Sequence, residues 1–376
     1  DNEADRIVWM DCEMTGLEED KHTIIEIAAV VTDGDLNVVA MGPDIVIHQD
    51  EETLSNMNGW CQRTFAKNGL TERIRASKVR MDEAEEQILA FLNDHVLEKI
   101  AQLAGNSVYN DRLFIRKYMP RVDAYLDDHL IDVDSIKLLS YRWYPPSMSR
   151  APSKKMTHRA LDDIKEAIEE LKHYKLNVFR ALTDSRQFSS GQFEVDKTKF
   201  ERVERFVGID CFMAGLELND KTLVEIGVIV TDRKLNVLSG GLNIVIHQSE
   251  ETLSKMDASC KEIFTRNGLI EEIRASTVGV AEAEKQILPF LLWYITAQKG
   301  HLAGNSIYLE RFFFRKYMPK INEFFHHHMI DIDSISELCR RWYPLAIPTK
   351  AKTHRALDDI RASIAELKHY RANVFK

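Results

Sequence analysis

The sequence predicts an α/β fold, a mixed sheet flanked by helices, written twice in tandem. Three observations predict it. Short β-branched segments bounded by turns open each half, amphipathic segments of helical period follow them, and the second half repeats the first. Asp33–His48, DGDLNVVAMGPDIVIH, returns as Asp232–His247, DRKLNVLSGGLNIVIH. Leu103–Pro120, LAGNSVYNDRLFIRKYMP, returns as Leu302–Pro319, LAGNSIYLERFFFRKYMP. Both are displaced by 199 residues (232 − 33 and 302 − 103), a period that means a duplicated domain and not a solenoid. HRALDDI at 158–164 returns at 354–360, displaced by 196, so the second copy is three residues shorter between Trp342 and His354. The domains are expected at 1–180 and 197–376, with the polar, Ser-Ser-Gly-containing stretch 181–196 as a linker.

The elements of the first copy follow in order. Ile7–Met10, Ile24–Thr32 and Ile45–His48 are short, β-branched and turn-bounded, as strands are. The Asp33–Asn37 stretch is a turn between the second and third. Met81–Leu97 has helical spacing; Leu103–Val108 reads as a short apolar strand running into a helix that starts near Asn110. Asp162–Tyr174 closes the copy as a helix, with Leu161, Ile164, Ile168 and Leu171 on one face.

Composition excludes several classes. At 376 residues, 44% hydrophobic and 29% charged, the chain is neither disordered nor collagenous nor a pure coiled coil. Its strongest apolar run, Ile287–Ile295, is too short to cross a bilayer. Five cysteines, Cys12, Cys61, Cys211, Cys260 and Cys339, form no CxxC pair. Free thiols in a reducing compartment are therefore expected, cytoplasmic by default, with mitochondrion or nucleus as alternatives. The chain opens on Asp1, so a targeting peptide already removed would leave no trace. Charge is uneven. Residues 1–180 hold 23 Lys+Arg and 33 Asp+Glu (net −10), and residues 181–376 hold 27 and 26 (net +1), summing to −9. An acidic protein meets nucleic acid only through local basic patches or bound cations.

The acids that matter are placed, not merely numerous. Asp11 and Glu13 are two apart on the first strand, so both side chains leave one face. Two such carboxylates repel and lose solvation unless a cation or partner neutralises them; water at a strand end is the plain alternative. Asp111 follows the Gly105-Asn106-Ser107 turn, where a carboxylate can present itself to a ligand or simply complement a helix N-terminus. His158 and Asp162 are four apart, with Asp163 about 100° further round if helix covers them. One of the two aspartates can then face a site while the other is solvated.

Together, Asp-x-Glu on a first strand, Asp after a later strand and His-x4-Asp on a last helix resemble the DEDD exonucleases that carry a catalytic His. The words MDCEMTGL, LAGNSVYNDRLFIRKYMP, IDVDS before YRWYP, and HRALDDI make the first copy similar to an oligoribonuclease over nearly all of its length. The resemblance implies an RNase H-like exonuclease fold and 3′→5′ hydrolysis of very short single-stranded RNA to nucleoside 5′-monophosphates, with DNA left open by the motifs. It implies Asp11, Glu13, Asp111 and Asp163 as ligands of two Mg²⁺ or Mn²⁺ ions and His158 as general base. That donor set suits hard divalent cations, and a reference pKa near neutrality suits the base. The family's substrate contacts fall on Leu17, an apolar wedge, and Trp60, a stacking aromatic, with Met14, Thr15 and Ser107 beside them. Read without the family, Leu17 is an ordinary core leucine and Trp60 an ordinary buried tryptophan.

The second copy keeps Asp210, His354 and Asp359 but has Phe212 for Glu13, Glu310 for Asp111 and Ser259 for Trp60. Phe ligates no metal, and Glu for Asp shifts a carboxylate by a methylene, so this copy is expected to be a degenerate, inactive domain. Family members pair as homodimers, which implies an intramolecular pseudo-dimer with the second copy as scaffold and substrate cover; further homo-oligomerisation is left open. Arg311, Arg315, Lys316 and Lys320 form its clearest basic cluster or a solvated helix face.

Two departures bear on the substrate. The family's Tyr-Arg pair and Ser that cap a 5′ phosphate read Asp128, His129 and Asp134, and in the second copy His327, His328 and Asp333. A family His reads Phe65 and Phe264. A tight dinucleotide lid is therefore not expected, and longer single-stranded RNA ends become candidate substrates. His326–His328 could also suggest a metal site, although consecutive residues rarely converge on one ion. The competing class is a catalytically inactive RNA-binding or scaffold protein, against which the intact five-residue set of the first copy argues.

Overall fold

The computed structural model describes residues 2–181, 204–214, 222–350 and 353–376, so the expected 181–196 linker, beyond Ala181, lies outside the described residues. The chain divides into two compact units, Asp1–Leu182 with Asp333–Leu345, and Thr183–Ile332 with Ala346–Lys376.

The first unit is built on a five-stranded sheet of order β3-β2-β1-β4-β5: β1 Ile7–Met14, β2 Ile24–Thr32, β3 Val38–Val46, β4 Leu103–Gly105 and β5 Leu130–Asp132. β1, β2 and β3 are antiparallel, and β4 and β5 run parallel to β1. All nine residues of β2 are buried, which explains why IIEIAAVVT reads as a continuous apolar run broken by one acid. The Ala160–Asn177 helix packs on β1 and β2. Around the β2 residue Ile25, Leu54, Met57, Cys61, Phe65, Leu70 and Ile74 form an apolar cluster with Val46. This layered mixed α/β sheet is the expected fold class.

The boundaries moved at three places. β1 continues past Met10 to Met14 because β2 pairs with it throughout, Asp11 opposite Ala28 and Glu13 opposite Glu26. β3 starts at Val38, seven residues before the expected Ile45. It is the edge strand, with Val38 and Met41 half exposed, so its side chains carry no apolar alternation, and an edge tolerates Pro43. The last helix begins at Ala160.

Residues 333–345, from the Ile332–Trp342 helix onward, belong to the first unit. Ser334 Oγ accepts the Asp132 amide at 2.9 Å and donates to Leu130 O at 3.1 Å, bonding along β5. Arg341 donates to Asp5 O at 2.8 Å and to Gln102 Oε1. The Trp342 indole donates to Gly34 O at 2.7 Å, meets the Phe179 ring edge-on and lies under the Lys175 ammonium.

The second unit repeats the sheet as β10-β9-β6-β7-β8, with β6 Phe206–Ala214, β7 Thr222–Thr231, β8 Leu242–Val245, β9 His301–Gly304 and β10 Ile330–Asp331. The Ala356–Asn373 helix packs on β6 and β7. Among the described residues no helix is long and apolar enough to cross a membrane.

Trp342 is 3% exposed, and its loss would leave a large void and an unmet carbonyl at Gly34. Trp342→Ala is expected to cost roughly 3–5 kcal/mol, read as a lower midpoint in denaturant unfolding, as for buried Trp truncations in general.

Candidate active site

The site forms where β1 passes the N-termini of two helices. Asp11 and Glu13 project from one face of β1. Asp111 stands in the first turn of the Tyr109–Tyr118 helix, 5% exposed, and its Oδ1 accepts the amide of Cys12, the residue between the two strand acids, at 2.8 Å. That bond ties helix to strand and aims a third carboxylate at the same spot. The turn before this helix is held by Ser107, whose backbone is left-handed (φ 48°), whose amide donates to Asp132 Oδ1 at 2.9 Å and whose hydroxyl donates to Asp134 Oδ2 at 2.7 Å. Asp163, in the first turn of the Ala160–Asn177 helix, completes the set: Glu13, His158 and Asp163 bring one ligand atom each within 4.8 Å of one another.

His158 is not on that helix. The expected i, i+4 relation to Asp162 is replaced by a left-handed residue (φ 51°) that precedes it. Three contacts hold the histidine. Asn68 Nδ2 donates to the carbonyls of Thr157 (3.0 Å) and His158 (2.9 Å), while Asn68 Oδ1 accepts the Leu70 amide. Trp60 meets the His158 ring edge-on, with centroids 4.9 Å apart. The next residue, Arg159, pairs with the fully buried carboxylate of Glu26 on β2, which also accepts the Ala160 amide at 3.1 Å and so caps the helix. Asp162 turns to the exposed side, where it accepts from Thr157 Oγ1.

Electrostatics mark the cluster as short of positive charge. Burial, then Asp111, Glu13 and Asp163, push the Asp11 carboxyl well above its usual range. Burial, then Asp163 and Glu26, do the same to Glu13. Burial raises Asp111 to about 7 against the pull of the Cys12 amide. Burial and Glu166 raise Asp163 to about 6, opposed by Lys154. Buried acids that mutually resist ionisation, with one imidazole among them, are a donor set for divalent cations.

Leu17 and Trp60 are 56% and 50% exposed, which overturns the plain reading of both as core residues and leaves two apolar side chains open to solvent. Thr15 is buried, and its hydroxyl accepts the Thr23 amide at 3.0 Å, fixing the 15–23 loop that carries Leu17. The Met14 carbonyl accepts from the Cys61 thiol. Met14, Thr15 and Ser107 thus shape the loops around the site. Asp134 is buried on Asn106 and Ser107, whereas His129 binds Asp127 at 2.9 Å, and that bond lifts its pKa to about 9.

In the second copy Asp210 and Phe212 lie on β6, and the Phe212 ring packs into the cluster of Val224, Leu253, Met256, Phe264, Leu269, Ile270 and Ile273. Glu310 is buried, and burial and Asp210 raise its carboxyl well above the ordinary range. His354 is left-handed like His158 (φ 57°). Asp359 accepts the Thr353 amide at 3.0 Å, a bond that turns its carboxylate to its own loop. Arg311 is buried and donates to His326 O at 3.0 Å, so the expected basic cluster loses one member from the surface.

Asn68, Glu26 and Arg159 were not singled out from the sequence, yet a signal existed. Each recurs in the second copy, as Asn267 on the carbonyl of His354 (2.9 Å) and as Glu225 paired with Arg355 and capping Ala356.

A group whose pKa is raised on folding costs stability as pH climbs from its unfolded to its folded value, here from about 4 through about 7 for Asp111. Divalent cations bind the ionised form and offset that cost. Millimolar Mg²⁺ or Mn²⁺ is therefore expected to raise the melting temperature more at pH 8 than at pH 5. Glu13→Gln should raise the melting temperature of the metal-free protein and shrink the cation effect; differential scanning fluorimetry with and without chelator checks both.

Comparison with known proteins gives the family. The exonuclease family model RNase_T matches twice, at residues 8–171 and 207–367. The chain is 52% identical over 180 residues to a probable oligoribonuclease of Caenorhabditis elegans, covering 48% of this chain and 92% of that protein. It is 44% identical over 184 residues to the mitochondrial oligoribonuclease of Bos taurus (49% and 78% covered) and 46% identical over 172 residues to the oligoribonuclease of Francisella tularensis (46% and 95%). Among solved structures, E. coli exonuclease I is similar with a TM-score of 0.36 and 17% identity, covering 45% of this chain and 41% of that one. Two family matches in tandem and relatives of this closeness place the chain: it belongs to the exonuclease family, as a duplicated member of its oligoribonuclease branch.

Proposed function

We propose that the first repeat, 1–180, removes nucleotides from the 3′ end of short single-stranded RNA as 5′-monophosphates with the help of two divalent cations. The second repeat, 197–376, is on this reading catalytically silent and serves as scaffold and substrate cover. The observation that carries the proposal is the convergence of Glu13, His158 and Asp163 within 4.8 Å, beside Asp11 and Asp111. The named activity of the relatives points the same way.

Asp11, Glu13, Asp111 and Asp163 would hold the Mg²⁺ or Mn²⁺ ions, which supply Lewis acidity and a more acidic water when bound. The protein's own part is positional. His158 is held by Asn68 and Trp60 so that its ring can accept the proton of the attacking water. Trp60 offers an exposed ring for the terminal base, and Leu17 an apolar edge beside it. The silence of the second repeat rests on Phe212, which sits in an apolar cluster where the first has Glu13, and on Asp359, which is engaged by its own loop. Residues 333–345 within the first unit support the scaffold role.

Glu13→Gln is expected to abolish turnover of short RNA while the circular dichroism spectrum is kept; equal activity in mutant and wild type would favour the scaffold alternative. On a ladder of oligomers the enzyme is expected to trim beyond dinucleotides, since no Tyr-Arg cap is present. Activity confined to dimers would reject that part.

Asn68→Ala should lower kcat by roughly 10- to 100-fold with little change in KM, the scale set by misplacing a general base. Asn267→Ala makes the same cut in the second copy and is expected to leave kcat unchanged. In a His158→Ala background, Asn68→Ala should have no further effect, because Asn68 acts through His158.

A further inference from the structure

Three positions change to histidine between the repeats, beside a fourth that is histidine in both. The first copy has Gln102, Asp127, Asp128 and His129; at the same 199-residue displacement the second has His301, His326, His327 and His328. In the first copy Asp127 accepts from His129 at 2.9 Å and from Gln102, while Asp128 pairs with Arg112. In the second copy every member is an imidazole, so the carboxylate acceptor is gone and the side-chain polar atoms are all ring nitrogens, which donate, accept or ligate.

The fold nonetheless packs them together. His301 opens β9 and is 8% exposed. The 326–328 loop is pinned to it, because the His326 amide donates to Gly300 O at 3.0 Å and Arg311 donates to His326 O at 3.0 Å. The rings of His301 and His326 lie 4.7 Å apart between centroids, those of His326 and His327 4.1 Å, and those of His327 and His328 4.1 Å. Consecutive side chains on an extended strand point apart, so the sequence argued against convergence. This bent loop reverses that, and His326, His327 and His328 each bring a ring nitrogen within 4.8 Å of the others.

We propose that this cluster is a binding site for a late first-row transition-metal cation, such as Zn²⁺, separate from the carboxylate site of the first repeat. The donors decide the class. Neutral imidazole suits Zn²⁺, Cu²⁺ and Ni²⁺, whereas oxygen donors suit Mg²⁺ and Mn²⁺. Ligation at Zn–N distances of about 2.0–2.1 Å asks the three nitrogens to close by about an ångström or so, within reach of ring rotation on a pinned loop. His326 Nδ1 accepts the His328 amide at 3.1 Å, so this ring ligates either by exchanging that bond or through Nε2 with the proton moved. Burial first, then the His327 and His328 rings, and last Arg311 and Lys299, lower the His326 pKa to about 4; the two cations also oppose a metal ion here. The positive neighbours weaken the affinity, and the neutral ring is the ligating form.

The test is metal binding by the full chain, stripped with chelator and dialysed against Zn²⁺ or Co²⁺ with millimolar Mg²⁺ present to occupy the carboxylates. One Zn²⁺ retained per chain and a visible Co²⁺ absorption band are expected. His327→Asn combined with His328→Asn should weaken Zn²⁺ binding at least tenfold, and Glu13→Gln should not. His327 is exposed, so His327→Asn alone gives a folded control that is also expected to weaken binding. Unchanged Zn²⁺ binding in the histidine variants, its loss in Glu13→Gln, or no Zn²⁺ retained by the wild type would each overturn the proposal. The proposed activity on RNA would stand in every case.

Discussion

The buried pair of Glu26 and Arg159 is the interaction on which the geometry of the proposed site hangs. Glu26 is fully buried on the central part of the sheet, and a carboxylate there is tolerable only if its oxygens are met. Arg159 meets them with its guanidinium and Ala160 with its amide. One buried charge therefore fixes where the last helix begins. It places Asp163 one turn inside the helix and His158 one residue before Arg159, both toward β1. Remove the partner and the cost falls on an uncompensated buried charge, a loss of about 3–5 kcal/mol by the behaviour of such pairs. The same lock recurs in the second copy as Glu225, Arg355 and Ala356. It is a folding requirement first and a catalytic one second.

Set against that lock, the carboxylates of the first site are a liability that the fold tolerates. Burial first, and neighbouring acids second, raise the carboxyls of Asp11, Glu13, Asp111 and Asp163 above their ordinary range. The second copy shows the relaxed solution. Phe212 removes one acid and packs a partly buried ring against Phe264 and its neighbours, a gain below the roughly 1.5–3 kcal/mol of full burial. The charge difference between the halves, −10 against +1, includes that exchange but is not explained by it, since it spans many surface residues.

Much of this was legible in the residues, and the failures are instructive. β2 announced itself by an unbroken apolar run, and the duplicated words fixed the architecture. Asp11 and Glu13 share a strand face, which needs only a period of two. His158 lies beside Glu13 and Asp163, but before the last helix and not on it. Its left-handed backbone depends on an Asn68 amide ninety residues earlier in the chain, and no local periodicity encodes a contact of that range. β3 was cut short because an edge strand half in water does not alternate. Leu17 and Trp60 could not be told from core residues by type, because exposure is set by the loops that carry them: Thr15 braces one, and Asn58 caps the helix of the other.

The comparison of repeats separates two kinds of residue that one copy alone would blur. Asn68 and Asn267, Glu26 and Glu225, Arg159 and Arg355, and His158 and His354 are the same in both copies and make matching contacts. If those residues served chemistry alone, the copy that lost Glu13 would have no physical reason to keep them, whereas loss of the lock or the clasp would leave buried polar groups unmet wherever the fold is used. Glu13 and Trp60 have no such structural duty. One is a buried acid whose ionisation burial opposes, the other a ring half in solvent, and both are replaced in the second copy, as is Asp111, which becomes Glu310. The retained left-handed histidine loop therefore says little about activity in the second repeat. What sets the proposed site of the first repeat apart is the combination the fold does not need: Glu13 beside Asp11 on β1, Asp163 beside Glu13 and His158, and an exposed Trp60.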